Sequence, residues 1–365
     1  MRRSQISSRI DERLLLGYLI TMVIGLVMIY STSSILAAGR FGSHLMFFKQ
    51  QFIWALLSLA VIAVIYKIDL QRYAIYSAPA LLLTLFLLAL VFVMPSRNGS
   101  HRWIMLAGFT LQPSELFRFL LIVYLAFSLA NPKRDIAKLR QVLFPYGPII
   151  GLGLLLIAME PDLGSVIVIV LTTVGILFVA GAKLKHLAIV AAVAVCGGSF
   201  MVFVLKYKQA RILSYLESVI DPLQGSYQVR QAALTLGSGG LFGTGLGDGS
   251  QKLFFLPYPH TDFIFAAIGE ELGMIGLLVI LSLLFFMLWR GFKIAAAQPD
   301  RFGYLLGVGM TWALFVNIAI NIGVVTAILP VTGLPLPFLS YGGSSLLTNS
   351  AAVGVLLHLS KRVKA

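Results

Sequence analysis

The chain has little charge, a single cysteine and no long polar stretch. Of its 365 residues only 12% are Asp, Glu, Lys or Arg, whereas 59% are hydrophobic, and the mean hydropathy is +0.93. That balance excludes an ordinary soluble globular domain and indicates an all-α polytopic membrane protein. The lone Cys196 excludes an intramolecular disulfide; it lies in an apolar run, where a small core residue is expected. The histidines and that cysteine form no cluster with metal-ligand spacing, so no dedicated metal cage is expected. No GxxxxGK[ST] nucleotide loop is present, and a dinucleotide reading of the glycines lacks a soluble βαβ unit to hold it. Acidic residues number 14 against 28 basic ones, a net charge of +14. In such a chain the excess reads as cytoplasmic loops and attraction to anionic lipid, not nucleic acid.

What is present is a succession of apolar runs, each long enough to cross about 30 Å of hydrocarbon. Ten spans are expected, at about 14–36, 46–66, 74–95, 113–130, 143–160, 165–182, 187–206, 262–289, 303–328 and 344–360, in one transmembrane domain over 1–365. The first is long for a signal-peptide core and lacks a clear cleavage motif, so it reads as a retained span. No internal repeat is evident. With the N-terminus placed in the cytoplasm, 18 of the 28 Lys and Arg fall on that face. They include Arg2, Arg3, Arg9 and Arg13 before the first span, and Lys361, Arg362 and Lys364 after the last. The positive-inside rule then puts both termini in the cytoplasm and the longest loop, about 207–261, outside, between spans seven and eight.

Polar residues collect on the expected outer face. The stretch 253–273, LFFLPYPHTDFIFAAIGEELG, runs from a proline-broken aromatic loop into an apolar helix. Asp262 sits at the join, where an N-cap and a functional carboxylate are both open readings. If the helix starts near Asp262, Glu270 and Glu271 lie about 12 Å further along it. The segment 96–118 carries Arg102, Trp103, Glu115 and Arg118; the last two face the same way at i, i+3, as an internal ion pair or an anion site. Asp162, in the turn MEPDLGS, is placed to cap the next span. Seven glycines between Gly237 and Gly249 permit close backbone approach to a ligand. Tyr227, Gln228, Arg230, Gln231, Lys252 and His260 around them offer hydrogen bonds suited to sugars and pyrophosphate. Pro330, Pro335 and Pro337 forbid a continuous helix in 329–345, which ends in the polar residues Ser340, Tyr341, Ser344 and Ser345.

Four motifs together resemble the SEDS family (shape, elongation, division and sporulation): HRWI with QPSE; PDLGS; GSGGLFGTGLGDGSQKLFFLPYPHTDFIFAAIGEELG; and NIGVVTAILPVTGLPLPFLSYGGSS. The likeness covers essentially the whole chain, and GLGDGSQKL and GEELG resemble the division and sporulation members more than the elongation member. It implies ten helices and a peptidoglycan glycosyltransferase of the bacterial inner membrane. That enzyme polymerises lipid II on the outer face, in septal synthesis, beside a class B penicillin-binding protein and other division proteins. Asp262 matches the family's catalytic aspartate; Trp103, Glu115, Asp162 and Ser340, Tyr341 and Ser344 match positions near its outer cavity. Two departures are Arg118, where the family usually has Lys, and Ala232, where it usually has Ser. With the sequence ending at Ala365, recruitment through a long cytoplasmic tail like that of some division members is not expected. The implied chemistry is inverting, with Asp262 as base. The only ion expected is a divalent cation, magnesium or manganese, bridging substrate pyrophosphate and a carboxylate. An elongation polymerase of the same family is the alternative subtype, and a lipid II flippase or transporter is the rival class.

Overall fold

The computed structural model describes residues 10–363 except 96–99, 107–108, 135, 137, 205, 207–208, 221–225 and 250–255. The order is α1 (Glu12–Phe41), α2 (Met46–Lys67), a short α3 (Leu70–Tyr73), α4 (Ser77–Val91), a hairpin of β1 (Ile104–Leu106) and β2 (Phe109–Leu111), and α5 (Pro113–Leu129). There follow α6 (Leu139–Met159), α7 (Leu163–Val179), α8 (Leu184–Ser199), α9 (Gln209–Ile220), α10 (Tyr227–Ser238), α11 (Ile264–Ala296), α12 (Arg301–Val325) and α13 (Gly343–Ser360). A helix occupies each expected apolar window. Among the described residues, six helical segments are long and apolar enough to cross a membrane, and Phe144–Met159 and Leu163–Val179 are shorter apolar helices. The chain is a mostly helical, polytopic membrane protein. The antiparallel hairpin, with Ile104 opposite Leu111, was not foreseen.

Burial separates the centre of the bundle from its rim. The apolar window of α12 is 78% buried, whereas that of α8 is 11% buried. Cys196 lies on α8 and is exposed, which corrects the expected core position. In a membrane the apolar rim can face lipid instead of protein, so an apolar run does not by itself imply burial in protein. At the centre, small residues bring helices together. A Cβ at Gly343 of α13 would fall 2.0 Å from the Trp54 ring of α2, so the two helices meet there only because the side chain is absent.

Helix α11 is broken at Gly273, whose φ of 67° and ψ of −170° are not helical. The glycine-rich segment docks on this break. Thr244 N–H and Gly245 N–H donate to the carbonyls of Glu270 and Glu271, at 2.9 and 3.1 Å. Met274 N–H and Ile275 N–H donate to those of Gly240 and Leu241, at 2.9 and 3.2 Å. The Glu271 carboxylate accepts from Ser31 Oγ at 2.7 Å and from Gly247 N–H at 3.1 Å. A Cβ at Gly243 would stand 2.2 Å from the Glu271 carbonyl oxygen. The two glutamates therefore anchor a loop: α11 exposes backbone groups at its break, and the loop backbone satisfies them.

Candidate active site

Asp262 precedes α11, whose N-cap position is held by Phe263 and carries no side-chain capping bond. The capping reading of Asp262 therefore does not hold. Burial pushes its carboxyl up from 3.8 to about 6. Arg211, the Thr261 side chain and Arg102 pull it back down, while Asp162 adds to the rise. Its surface is partly open, so the group is crowded by protein yet reachable from one side.

The PDLGS turn lies beside it. Asp162 accepts from the backbone and side chain of Ser165, at 3.2 and 2.8 Å, and caps α7 as its sequence position suggested. Gln112 Nε2 donates to the same carboxylate at 3.1 Å, and Arg102 approaches it at 3.8 Å. Arg102 also donates to the carbonyls of Glu160, at 2.9 Å, and Pro161. Glu160 is fully buried, and neither carboxylate oxygen has a hydrogen-bond partner among the described residues. Burial first, then Asp162, push its carboxyl up to about 9, against the pull of Arg102. Burial thus favours its neutral form at pH 7.

The proline-rich loop closes the other side. A Cβ at Gly164 would sit 3.0 Å from both the Thr332 carbonyl oxygen and Leu334 Cγ, and one at Gly333 would sit 3.6 Å from Asp262 Oδ2. Asn321 of α12, 1% exposed, donates from one amide nitrogen to the carbonyls of Asp262, at 2.9 Å, and Leu334, at 2.7 Å. Ser340 Oγ donates to the Thr261 carbonyl at 2.6 Å and accepts from Leu336 N–H at 2.8 Å. Tyr341 N–H donates to the His260 carbonyl at 2.8 Å, and its hydroxyl donates to Gln50 Oε1. The buried His260 ring packs between Phe47, at 4.7 Å, and Tyr341, at 5.7 Å. Ser344 Oγ donates to the Thr110 carbonyl at 2.7 Å and accepts from Gln112 N–H at 3.0 Å. Residues 260–262 are thus held from both sides. This is the preorganisation that a reacting carboxylate needs.

Deeper in the bundle, Glu115 and Arg118 form the ion pair that their spacing predicts, at 2.5 Å. Arg118 also donates to Asn317 Oδ1 at 2.9 Å and Asn349 Oδ1 at 3.3 Å, and Thr348 Oγ1 donates to Glu115 at 3.0 Å. Trp103 is half-buried beside Arg102. Gln231 is buried in α10, and its carbonyl accepts from Thr235 Oγ1 at 2.6 Å. Tyr227 is exposed, and Lys252 lies outside the described residues. Sequence reading missed Asn321 and Glu160. Asn317 and Asn321, one turn apart in an apolar helix, were a usable signal, since polar residues in a span turn inward.

The arrangement offers a carboxylate that titrates near neutrality, with Arg102 and Arg211 close enough to act on it electrostatically. It suits a general base working next to an anionic group.

The family described as Cell cycle protein, FtsW/RodA/SpoVE, matches residues 12–365. The chain is 39% identical over 357 residues to the probable peptidoglycan glycosyltransferase FtsW of Geobacter sp. (strain M18), covering 97% of each chain. It is 40% identical over 355 residues to stage V sporulation protein E of Bacillus subtilis (strain 168), covering 96% and 97%. Its fold is similar to a chain of a peptidoglycan synthase complex that coordinates polymerization and crosslinking, with a TM-score of 0.79, 27% identity, and coverage of 96% and 97%. It is also similar to the rod shape determining protein RodA of Thermus thermophilus, with a TM-score of 0.72, 27% identity and 98% of each chain covered. The chain therefore belongs to the FtsW/RodA/SpoVE family of cell cycle proteins.

Proposed function

We propose that this chain is a peptidoglycan glycosyltransferase of septal wall synthesis, and that Asp262 is its general base. The observation that carries the assignment is the Asp262 carboxyl, lifted to about 6 within electrostatic reach of Arg102 and Arg211, on a backbone whose carbonyls at 261 and 262 are held by Ser340 and by Asn321 of α12. The donor is a glycan on polyprenyl pyrophosphate, and the acceptor is the 4-hydroxyl of the GlcNAc in lipid II. Asp262 takes the hydroxyl proton as that oxygen bonds to the anomeric carbon. The bond from this carbon to the pyrophosphate oxygen breaks with inversion, and the pair of electrons leaves with the pyrophosphate. A base of this kind is worth about 10²–10⁴-fold.

Arg102 and Arg211 are the cations assigned to the leaving pyrophosphate. Arg118 is committed to Glu115, Asn317 and Asn349 and so holds the helices beneath the site. A divalent cation, magnesium or manganese, would be carried by the substrate pyrophosphate and a carboxylate of the site, and would supply further charge neutralisation. The reading places ten spans in the bacterial inner membrane, both termini in the cytoplasm and the site outside, on the charge asymmetry. A class B penicillin-binding protein is the partner proposed, since a chain of similar fold comes from a complex of polymerization and crosslinking.

The test is lipid II polymerisation by purified protein and its partner in detergent, where no membrane divides two compartments. Strands are expected. Lipid II translocation in vesicles without any polymer in detergent would favour a flippase instead.

A further inference from the structure

A second candidate site lies at the opposite end of α5 from Glu115. That helix has 17 residues, about 25 Å. Beyond its last turn, Asn131 and Arg134 meet the start of α4 and of α12 around a cavity of about 540 Å³. The wall is mixed. Phe127 and Phe302, with ring centroids 6.1 Å apart, line it, as do Gln71 and Ser77. Ser77 is 4% exposed, and its hydroxyl has no hydrogen-bond partner among the described residues. Such an orphan is unusual in a finished interior and marks a place where another polar group can arrive.

Arg134 is preset for such a group. Its Nη1 donates to the Tyr146 hydroxyl at 2.8 Å, and its guanidinium carbon stands 5.3 Å over the same ring. Fixed at one corner, a planar guanidinium has little conformational freedom left to lose when its other N–H groups meet a phosphate. Of the described acidic residues, Asp69 and Asp300, neighbours in sequence of the lining residues Gln71 and Phe302, are engaged by Arg362, which also reaches Gln71 Oε1 at 3.4 Å. Arg134 is the cationic side chain among the described residues that line the cavity. The cavity is large enough for a polar head and the top of one chain but not for a whole lipid. It opens among helix ends, the level at which head groups meet a bundle.

We infer that this cavity binds an anionic phospholipid, with its phosphate on Arg134, Asn131 and Ser77 and an acyl chain against Phe127 and Phe302. The inference is independent of the glycosyl-transfer reading. It is tested on the purified full chain in a neutral detergent by thermal unfolding against added phosphatidylglycerol, phosphatidylcholine or glycerol 3-phosphate. Phosphatidylglycerol should raise Tm saturably, at concentrations roughly tenfold below those phosphatidylcholine needs, the scale of one charge-assisted hydrogen bond. Arg134→Gln and Ser77→Leu, the latter filling the cavity, should each weaken the response about tenfold. Tyr146→Phe, which keeps the Arg134 charge but removes the bond that fixes it, should weaken the response a few-fold, less than Arg134→Gln. If Arg134→Gln does not fold, Ser77→Leu decides. Equal responses to the two lipids, or a Ser77→Leu variant that responds like wild type, would overturn the site. Glycerol 3-phosphate matching phosphatidylglycerol would overturn the lipid assignment in favour of a soluble phosphate.

Discussion

Replacing Asp262 with Asn should stabilise the protein at neutral pH and leave it unchanged near pH 4. Burial lifts the carboxyl from 3.8 to about 6, outweighing the combined help of Arg211, Thr261 and Arg102. A gap of about 2 pH units is worth roughly 3 kcal/mol at 1.36 kcal/mol each. The group is partly open to solvent, which screens its charge, so about 1–3 kcal/mol is the expected range. The sign follows from proton binding. Between about pH 4 and 6 the folded chain holds a proton that the unfolded chain has lost, so stability falls as pH rises through this window and stays lower above it. Asn mimics the neutral form and removes the penalty. In detergent, the Asn variant should melt a few degrees above wild type near pH 7.5, at about 2 °C per kcal/mol for a large chain. The two curves should converge near pH 4. An N-cap role makes the opposite forecast for Asp262→Ala, a loss of about 1 kcal/mol. An Asn variant less stable than wild type at neutral pH, or an offset independent of pH, would refute the reasoning.

Three further outcomes are expected. Asn321→Ala strips the donor from two carbonyls; it should lower kcat of polymerisation by up to about 100-fold, as a misplaced catalytic group does, with KM little changed. The acid limb of its pH profile should move away from about 6, whereas a merely structural role would leave the limb in place. Glu115→Gln leaves the buried Arg118 guanidinium without its carboxylate and should cost about 3–5 kcal/mol, read as a drop in Tm; Arg118→Lys should recover only part of the network because it lacks the planar fork. Gly243→Ala places a Cβ 2.2 Å from the Glu271 carbonyl oxygen and should undock the loop, seen as faster amide exchange over 239–249. Gly237→Ala, whose Cβ meets nothing within 4 Å, should be silent.

The helices were legible because lipid demands long apolar runs, and each expected window holds one. The Glu115–Arg118 pair and the Asp162 cap were legible because both are local, fixed by spacings of three residues. The proline loop followed from the same kind of local rule. What escaped was non-local. Gly273 permits a break in α11, but the sequence around it does not show that one forms, because the groups that satisfy it come from residues 240–245. The glycines read as a ligand cradle, whereas the structure seats Gly243 against α11. The helix start at Ile264, not Asp262, depends on Asn321 and Ser340 holding residues 261–262 from elsewhere in the chain. Cys196 was misplaced because an apolar residue in a membrane helix faces lipid as readily as protein.

The central claim is that the Asp262 carboxylate removes the acceptor proton. Its most direct test is the initial rate of glycan strand formation from lipid II by Asp262→Asn and wild type, each with the partner, at saturating substrate and near pH 7.5. Asn preserves size and polarity but cannot take a proton. The account predicts a loss of about 100-fold or more in a protein that still melts at or above the wild-type temperature. An Asn variant polymerising within a few-fold of wild type would contradict it.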